Sequence, residues 1–200
     1  MITIATAECF THGILSREIH ALAQDYEDKF SSSYINLVKD AQEECLKSKN
    51  SQDESLLFDL NELSVSCGLF IPTLSAVKDV LKIKDPIKPL KLIKDIKVYE
   101  DEDDIKMAMK MAKAVKKLSG SNIGIGTTAG VGKGGIAIVD DDVIISTSSD
   151  VYADLIVANS NNLYYRQQSG IEKTLKILIY YLNDNFELIE SLDNTRIYYK

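Results

Sequence analysis

The sequence has few cysteines, no excess of basic residues and no long apolar run, and each absence excludes a class of protein. Its three cysteines, Cys9, Cys45 and Cys67, are an odd number and contain no C-x-x-C pair. A disulfide framework is therefore not expected, and the protein is expected in a reducing compartment. No stretch of about 18 apolar residues is present, so the chain is not expected to cross a membrane.

Charge also narrows the possible partners. The formal net charge of -7 and the pI near 4.9 argue against a broad basic face for nucleic acid. Lysines from Lys78 to Lys97 alternate with isoleucine and leucine, which predicts solvated helix and strand faces. The N-terminus lacks the basic segment and apolar stretch of a secretory signal, so a cytoplasmic protein is expected.

The hydrophobic pattern predicts one α/β domain covering residues 1–200. Hydrophobic residues make up 45% of the chain, enough for one sizeable core. Alternating helix and strand patterns, with one antiparallel hairpin, predict a layered α/β/α fold with a mixed sheet. Strands are expected at 2–7, 56–60, 64–70, 123–126, 135–139 and 143–147, and helices at 15–26, 33–48, 72–81 and 100–119. An extended stretch is expected at 82–99, and helices from Val151 onward with interruptions near 159–162 and at Gly170.

Cys9 is the first candidate for chemistry, because it follows the first predicted strand and precedes a helix. Open α/β sheets form ligand crevices at that position. A nearby helix N-terminus favours a thiolate, and backbone N–H groups of the turn can stabilise an oxyanion. His12 is expected to share or remove the thiol proton, with Thr11 and Gly13 supplying a hydroxyl and close backbone approach.

A less reactive interpretation of the same residues stays open. Cys9 is also compatible with a small buried hydrophobic residue, and His12 with a surface or capping residue. Cys45 lies on a helical stripe and Cys67 in an apolar run, so both are predicted to lie in the core. No second ligand pair accompanies the C-x-x-H spacing of Cys9 and His12, so zinc is not expected. The acids at residues 100–104 predict a solvated helix N-terminus rather than a metal site.

Residues 122–136, NIGIGTTAGVGKGGI, form the second candidate. Glycines expose backbone N–H groups, and Thr127, Thr128 and Lys133 add hydroxyls and charge, which together are typical of an anion-binding loop. A flexible loop between strands is the alternative. The segment is not a Walker A loop, since Thr127 replaces its first glycine and Gly134 its serine or threonine.

Two segments carry a resemblance to a known family. TAECFTHG at residues 6–13 and IGTTAGVGKGGIAI at residues 125–138 resemble the HcgF family of methanogenic archaea, which acts in iron-guanylylpyridinol cofactor biosynthesis. More distantly, both are similar to the C-terminal amidase domain of CinA proteins, with its motifs A-E-S-C-T-G-G and G-I-A-G-P-x-G. In that comparison Cys9 stands at the amidase serine and His12 at a glycine, and the proline is lost.

The resemblance to the HcgF family implies a specific activity. It implies that guanylylpyridinol is bound, and that its carboxylate is activated by adenylylation on a partner of the ubiquitin-activating-enzyme type. The acyl group then passes to a cysteine as a thioester, and Cys9 is the matching cysteine. This thioester precedes the acyl ligand to iron in the cofactor of the iron-only hydrogenase. The implied ligand contacts are Glu8, Thr11, Gly13, Gly126, Thr127, Thr128, Gly130 and Lys133.

Two other functions remain open at this point. A CinA-like amidohydrolase would act on a nucleotide such as nicotinamide mononucleotide, although the change from serine to Cys9 disfavours plain amide hydrolysis. A non-covalent nucleotide-binding module is the third possibility. No permanently bound cofactor or metal is expected, and a homodimer is expected from the tyrosine-rich C-terminal helices and by analogy.

Overall fold

A mixed sheet with helices on both faces organises the computed structural model, which describes residues 1–157 and 159–200. The elements in chain order are β1 (Ile2–Glu8), α1 (Ile14–Ala23), α2 (Ile35–Ser48), β2 (Leu63–Phe70), α3 (Leu74–Asp79), β3 (Lys91–Ile93), β4 (Ile96–Val98), α4 (Asp101–Ser119), β5 (Ile123–Thr128), β6 (Val131–Gly132), β7 (Gly135–Val139), β8 (Val143–Thr147), β9 (Ala153–Asp154), α5 (Ser160–Leu182), α6 (Phe186–Glu190) and β10 (Arg196–Tyr199).

The main sheet has six strands in the order β10-β8-β7-β5-β1-β2. Strand β1 runs parallel to both β2 and β5, whereas β7, β8 and β10 continue the sheet in antiparallel pairs. The predicted mixed α/β fold and its hairpin are thereby confirmed. None of the described helices is long and apolar enough to cross a membrane.

The two faces of the sheet bury different side chains. Ile4, Ile125 and Ile138 point to one face, where they join a core with α1, α2 and α5. On the opposite face small residues such as Ala5 and Ala137 pack against α4 and its neighbours. Large and small residues alternate along β5 and β7, and the period of two of a β-strand places them on opposite faces. Helix α4 can therefore approach the sheet closely.

The structure corrects four predicted elements. Where helices were expected from Val151 onward, Ala153–Asp154 and Arg196–Tyr199 form strands β9 and β10. Residues 56–60 form no strand, because the side chains of Asp53 and Asp59 accept hydrogen bonds from N–H groups two residues on and favour 3-10 turns. The predicted break at Gly170 is wrong: α5 continues through it, and the ring of Phe10 occupies the space that a side chain would fill. The extended stretch 82–99 ends in the β3–β4 hairpin.

Two charged side chains predicted to be solvated are buried. Asp104, in the first turn of α4, and Lys97, in β4, are both fully buried, whereas Glu102 is exposed as expected. The Lys97 ammonium donates to the carbonyl oxygens of Ile71 at 2.7 Å and Pro72 at 3.1 Å. These bonds offset the cost of removing the charge from water.

Candidate functional site

The turn around Cys9 joins the carboxyl end of β1 to the start of α1, as the sequence predicted. Within it, the N–H of His12 donates to the Cys9 carbonyl at 3.2 Å, and the N–H of Ile14 donates to the Thr11 carbonyl at 3.0 Å. His12 and Gly13 both adopt the left-handed conformation, with φ of 56° and 81°. These two successive left-handed residues turn the chain from β1 into α1, and Cys9 directly follows β1 at the end of the sheet.

Hydrogen bonds to the Glu8 side chain hold this turn in place. Its buried carboxylate accepts hydrogen bonds from the hydroxyls of Thr6 and Thr11, both at 2.8 Å. It also accepts from the N–H groups of Leu15 at 3.1 Å and Ser16 at 2.8 Å, at the positive end of α1. Glu8 thus holds the strand end, the turn and the helix together, and its predicted contact with a ligand stays a prediction.

The two segments singled out in the sequence lie side by side, because β1 and β5 are neighbouring strands. The N–H of Cys9 donates to the Thr127 carbonyl at 2.9 Å, and it lies 3.2 Å from the Thr127 hydroxyl oxygen. The hydroxyls of Thr11 and Thr127 are hydrogen-bonded at 2.8 Å. These bonds set the position of Cys9 relative to β5.

Cys9 lines a cavity of about 380 Å³ and is itself only 5% exposed. This volume lies in the range of small-molecule pockets, which are about 300–1,000 Å³. The walls are mainly apolar, with five polar side chains besides the thiol. The lining residues are Cys9, Phe10, His12, Phe70, Pro72, Ile96, Ala129, Leu155, Ser160, Leu163, Tyr164, Arg166 and Gln167.

His12 lies on the wall of the same cavity. Its ring meets the ring of Phe70 edge-on, with centroids 5.3 Å apart. Burial lowers the pKa of His12 below its ordinary value, and the nearby charge of Glu8 partly opposes this effect. A lowered pKa favours the neutral imidazole, which can accept a proton.

The glycine-rich segment contributes less to the cavity than its composition predicts. Of its residues only Ala129 is among the lining residues, while Gly126, Thr127 and Thr128 are fully buried within β5. Lys133 is partly exposed, and its N–H donates to a carboxylate oxygen of Asp101 at 2.8 Å. Ligand contacts by these residues and by Gly130 stay predictions.

Comparison with known proteins identifies the family of this chain. Residues 1–182 match the family described as FeGP cofactor biosynthesis protein HcgF. The chain belongs to this family. It is 39% identical over 178 residues to a UPF0254 protein of Methanothermobacter thermautotrophicus strain Delta H, covering 89% of this chain and 97% of that one. A UPF0254 protein of Methanocaldococcus jannaschii is 39% identical over 176 residues, covering 88% and 93%.

Membership in the HcgF family places the chain in FeGP cofactor biosynthesis and confirms the resemblance predicted from residues 6–13 and 125–138. A UPF0254 protein of Methanopyrus kandleri, 34% identical over 192 residues, extends the match to 95% of this chain and 93% of that one. The relatives come from methanogens, as the resemblance implied. The match spans both segments of the candidate site.

Helix α5 supplies five of the lining residues of this HcgF-family protein, and sequence reasoning missed its two buried polar ones, Gln167 and Arg166. Gln167 donates from its side-chain nitrogen to the Phe10 carbonyl at 2.9 Å. Arg166, only 2% exposed, donates from Nη1 to the carbonyls of Gly130 at 3.0 Å, Gly132 at 3.0 Å and Ala153 at 2.8 Å. The only sequence signal was helical spacing, since Gln167 lies four residues before Ile171 on the buried stripe of α5.

Proposed function

We propose that this chain carries the carboxyl group of guanylylpyridinol as a thioester on Cys9 during FeGP cofactor biosynthesis. The supporting observation is that Cys9 alone of the three cysteines is among the residues lining the cavity. Cys45 is fully buried in the core, and burial raises the pKa of its thiol. Burial also raises the pKa of Cys67, which lies in β2.

The proposed step is acyl transfer from an adenylylated carboxylate. The Cys9 sulfur attacks the acyl carbon, the C–S bond forms, and the bond to adenylate breaks, releasing AMP. Neutral His12 accepts the thiol proton, which keeps charge balanced. The acyl adenylate comes from ATP on an adenylylating partner protein, so this chain needs no cofactor of its own for the step.

The turn offers donors for the oxyanion that forms on attack. Among the described residues, no acceptor is hydrogen-bonded to the N–H groups of Phe10, Thr11 and Gly13. Free N–H groups beside a nucleophile stabilise a tetrahedral oxyanion in acyl transfer. The apolar walls around Phe10 and Phe70 suit a flat heterocycle, because aromatic rings pack well against one another.

The proposal predicts a covalent adduct on one residue. The full-length chain is incubated with guanylylpyridinol, ATP and an adenylylating partner of the ubiquitin-activating-enzyme type. Intact-mass spectrometry should then show an added acyl group that hydroxylamine removes, as expected of a thioester. Cys9→Ala should abolish the adduct completely, whereas the matched control Cys67→Ala should retain it.

Other outcomes of the same experiment contradict the proposal. Ligand affinity without any adduct would identify a non-covalent binding module. Ammonia released from nicotinamide mononucleotide, with no partner protein present, would identify a CinA-like amidohydrolase. An adduct that persists in Cys9→Ala would assign the chemistry to another nucleophile.

A further inference from the structure

Three buried side-chain atoms of the described residues have no hydrogen-bond partner: Asp104 Oδ1, Thr128 Oγ1 and Arg166 Nε. Two of these atoms belong to side chains that hold the backbone of Gly130. Asp104 accepts from its N–H at 2.9 Å, and Arg166 donates to its carbonyl at 3.0 Å. Buried polar atoms in native proteins are nearly always paired, so an unpaired donor marks a place where an acceptor is expected.

Arg166 differs from the other two because it also lines the cavity that contains Cys9. Its guanidinium carbon lies 5.9 Å from the ring centroid of Phe10, the residue next to Cys9. The three carbonyl bonds from Nη1 hold the side chain in one orientation. Nε is therefore a buried donor held in one position, and no described residue accepts its hydrogen.

The charge of Arg166 is not matched by a contact partner. Within residues 1–157 and 159–200, no carboxylate forms a salt bridge with it, and its bonded acceptors are neutral carbonyls. A guanidinium stays protonated in proteins, and a buried charge is costly without an opposite charge nearby. Asp104 is near enough for its charge to interact with that of Arg166, but the two side chains form no salt bridge. An oxyanion at Nε would supply the missing acceptor and an opposite charge in direct contact.

We propose that Arg166 binds the oxyanion, a carboxylate or a phosphate, of a ligand whose flat aromatic ring occupies the apolar part of the Cys9 cavity. The geometry of the cavity carries this assignment, and it rests on the proposed function only for the claim that the natural ligand is guanylylpyridinol. The two oxyanion sources share the planar, bidentate chemistry that arginine recognises.

Two matched pairs of probes test the assignment on the full-length protein. One pair is guanosine monophosphate and guanosine, and the other is pyridine-2-carboxylate and pyridine-2-carboxamide. Titration calorimetry should show that the charged member of one pair binds at least about tenfold more tightly than its neutral partner. Preference within the first pair identifies a phosphate, and preference within the second identifies a carboxylate.

The variant Arg166→Met should bind the charged and neutral members of that pair equally. Because Arg166 also holds three carbonyls, thermal unfolding first establishes that the variant is folded, and Arg166→Lys, which keeps the charge, should regain part of the preference. Equal affinity of the wild-type protein for both members of both pairs would overturn the assignment without any variant, leaving an ordered water as the partner of Nε.

This test and the adduct experiment fail separately. An Arg166-dependent preference in Cys9→Ala, which forms no thioester, would keep the oxyanion site even if the thioester proposal were wrong. A wild-type adduct at Cys9 with no preference between charged and neutral probes would keep the thioester proposal and reject the oxyanion site. A preference that Arg166→Met retains unchanged would assign the oxyanion to another residue and reject this proposal.

Discussion

The Cys9 turn and the glycine-rich segment lie next to each other at one end of the sheet, yet they use their backbones in opposite ways. In the turn, N–H groups of Phe10, Thr11 and Gly13 have no acceptor among the described residues, and the Cys9 side chain lines the cavity. In the glycine-rich segment, Asp104 and Arg166 bind the N–H and the carbonyl of Gly130. The turn keeps its donors available, whereas the segment uses them internally.

The glycines of β5 serve packing against α4. A Cβ on Gly126 would collide with the carbonyl oxygen of Ala108 and the nitrogen of Ala112, and one on Gly124 would collide with the carbonyl oxygen of Ala112. These neighbours are helix backbone, which cannot move as a side chain does. Close contact between α4 and the sheet therefore explains why glycine is needed at these two positions, with or without a ligand site nearby.

The largest expected effect is on the free energy of unfolding, when one glycine in each of the two regions is replaced by alanine. Gly126→Ala should lower the free energy of unfolding by about 3 kcal/mol or more, because the α4 backbone must shift away from β5. Gly13→Ala should cost only about 1 kcal/mol, since its Cβ meets nothing within 4 Å and the penalty comes from φ of 81°. Urea unfolding of both variants measures the difference.

Equal losses in the two variants would mean that α4 can move away from β5 at little cost. In that case the glycines of the segment would not be explained by packing, and the anion-binding interpretation would regain its support. A Gly13→Ala loss larger than that of Gly126→Ala would show that the Cys9 turn is the more rigid region.

A smaller effect on stability is expected at Asp104, a residue of α4 whose carboxylate accepts a hydrogen bond from the Gly130 N–H. Burial raises the pKa of Asp104 to about 7, although the Gly130 N–H and the charges of Arg166 and Lys97 oppose the shift. The folded state then holds the proton more tightly than the unfolded state, so the stability contribution is fully present below about pH 4 and declines as the pH rises to about 7. Asp104→Asn should remove this decline.

The measurement is the free energy of unfolding of wild type and Asp104→Asn at pH 4.5, 6 and 8. Between pH 4.5 and pH 8 the free energy of unfolding of the variant should rise by about 3 kcal/mol relative to that of wild type. Asp103→Asn is the matched control in the same turn, because Asp103 is partly exposed and pairs with Lys106; its stability should change by less than about 0.5 kcal/mol. A pH-independent difference at Asp104 would contradict the raised pKa.

Local signals in the sequence predicted the elements that carry the site but not the contacts between them. The apolar run of β1 and the position of Cys9 after it were predicted correctly, because strand ends and turn residues are local features. Helix α4 was also predicted, from its acidic start and from Gly120 at its end, where φ is 69°.

Burial of charged groups depends on the tertiary fold and could not be predicted locally. Asp104 belongs to a run of five acids, and nothing in that run distinguishes the one that packs beneath Gly130. Arg166 and Gly130 are 36 residues apart in the sequence, so their contact follows from the placement of α5 rather than from a motif. The cavity residues of α5 were missed for this reason.

The smallest expected effect is on ligand binding by a Lys133 variant, for which the sequence and the structure lead to different expectations. A phosphate contact by Lys133 would make Lys133→Ala weaken the binding of guanosine monophosphate about tenfold. The side chain is partly exposed and is not among the cavity-lining residues, so a change within about twofold is expected instead. Arg166→Met, measured beside it by the same calorimetric titration, serves as the comparison. A tenfold loss confined to Lys133→Ala would place the anion at the glycine-rich segment and reverse the contrast between the two regions.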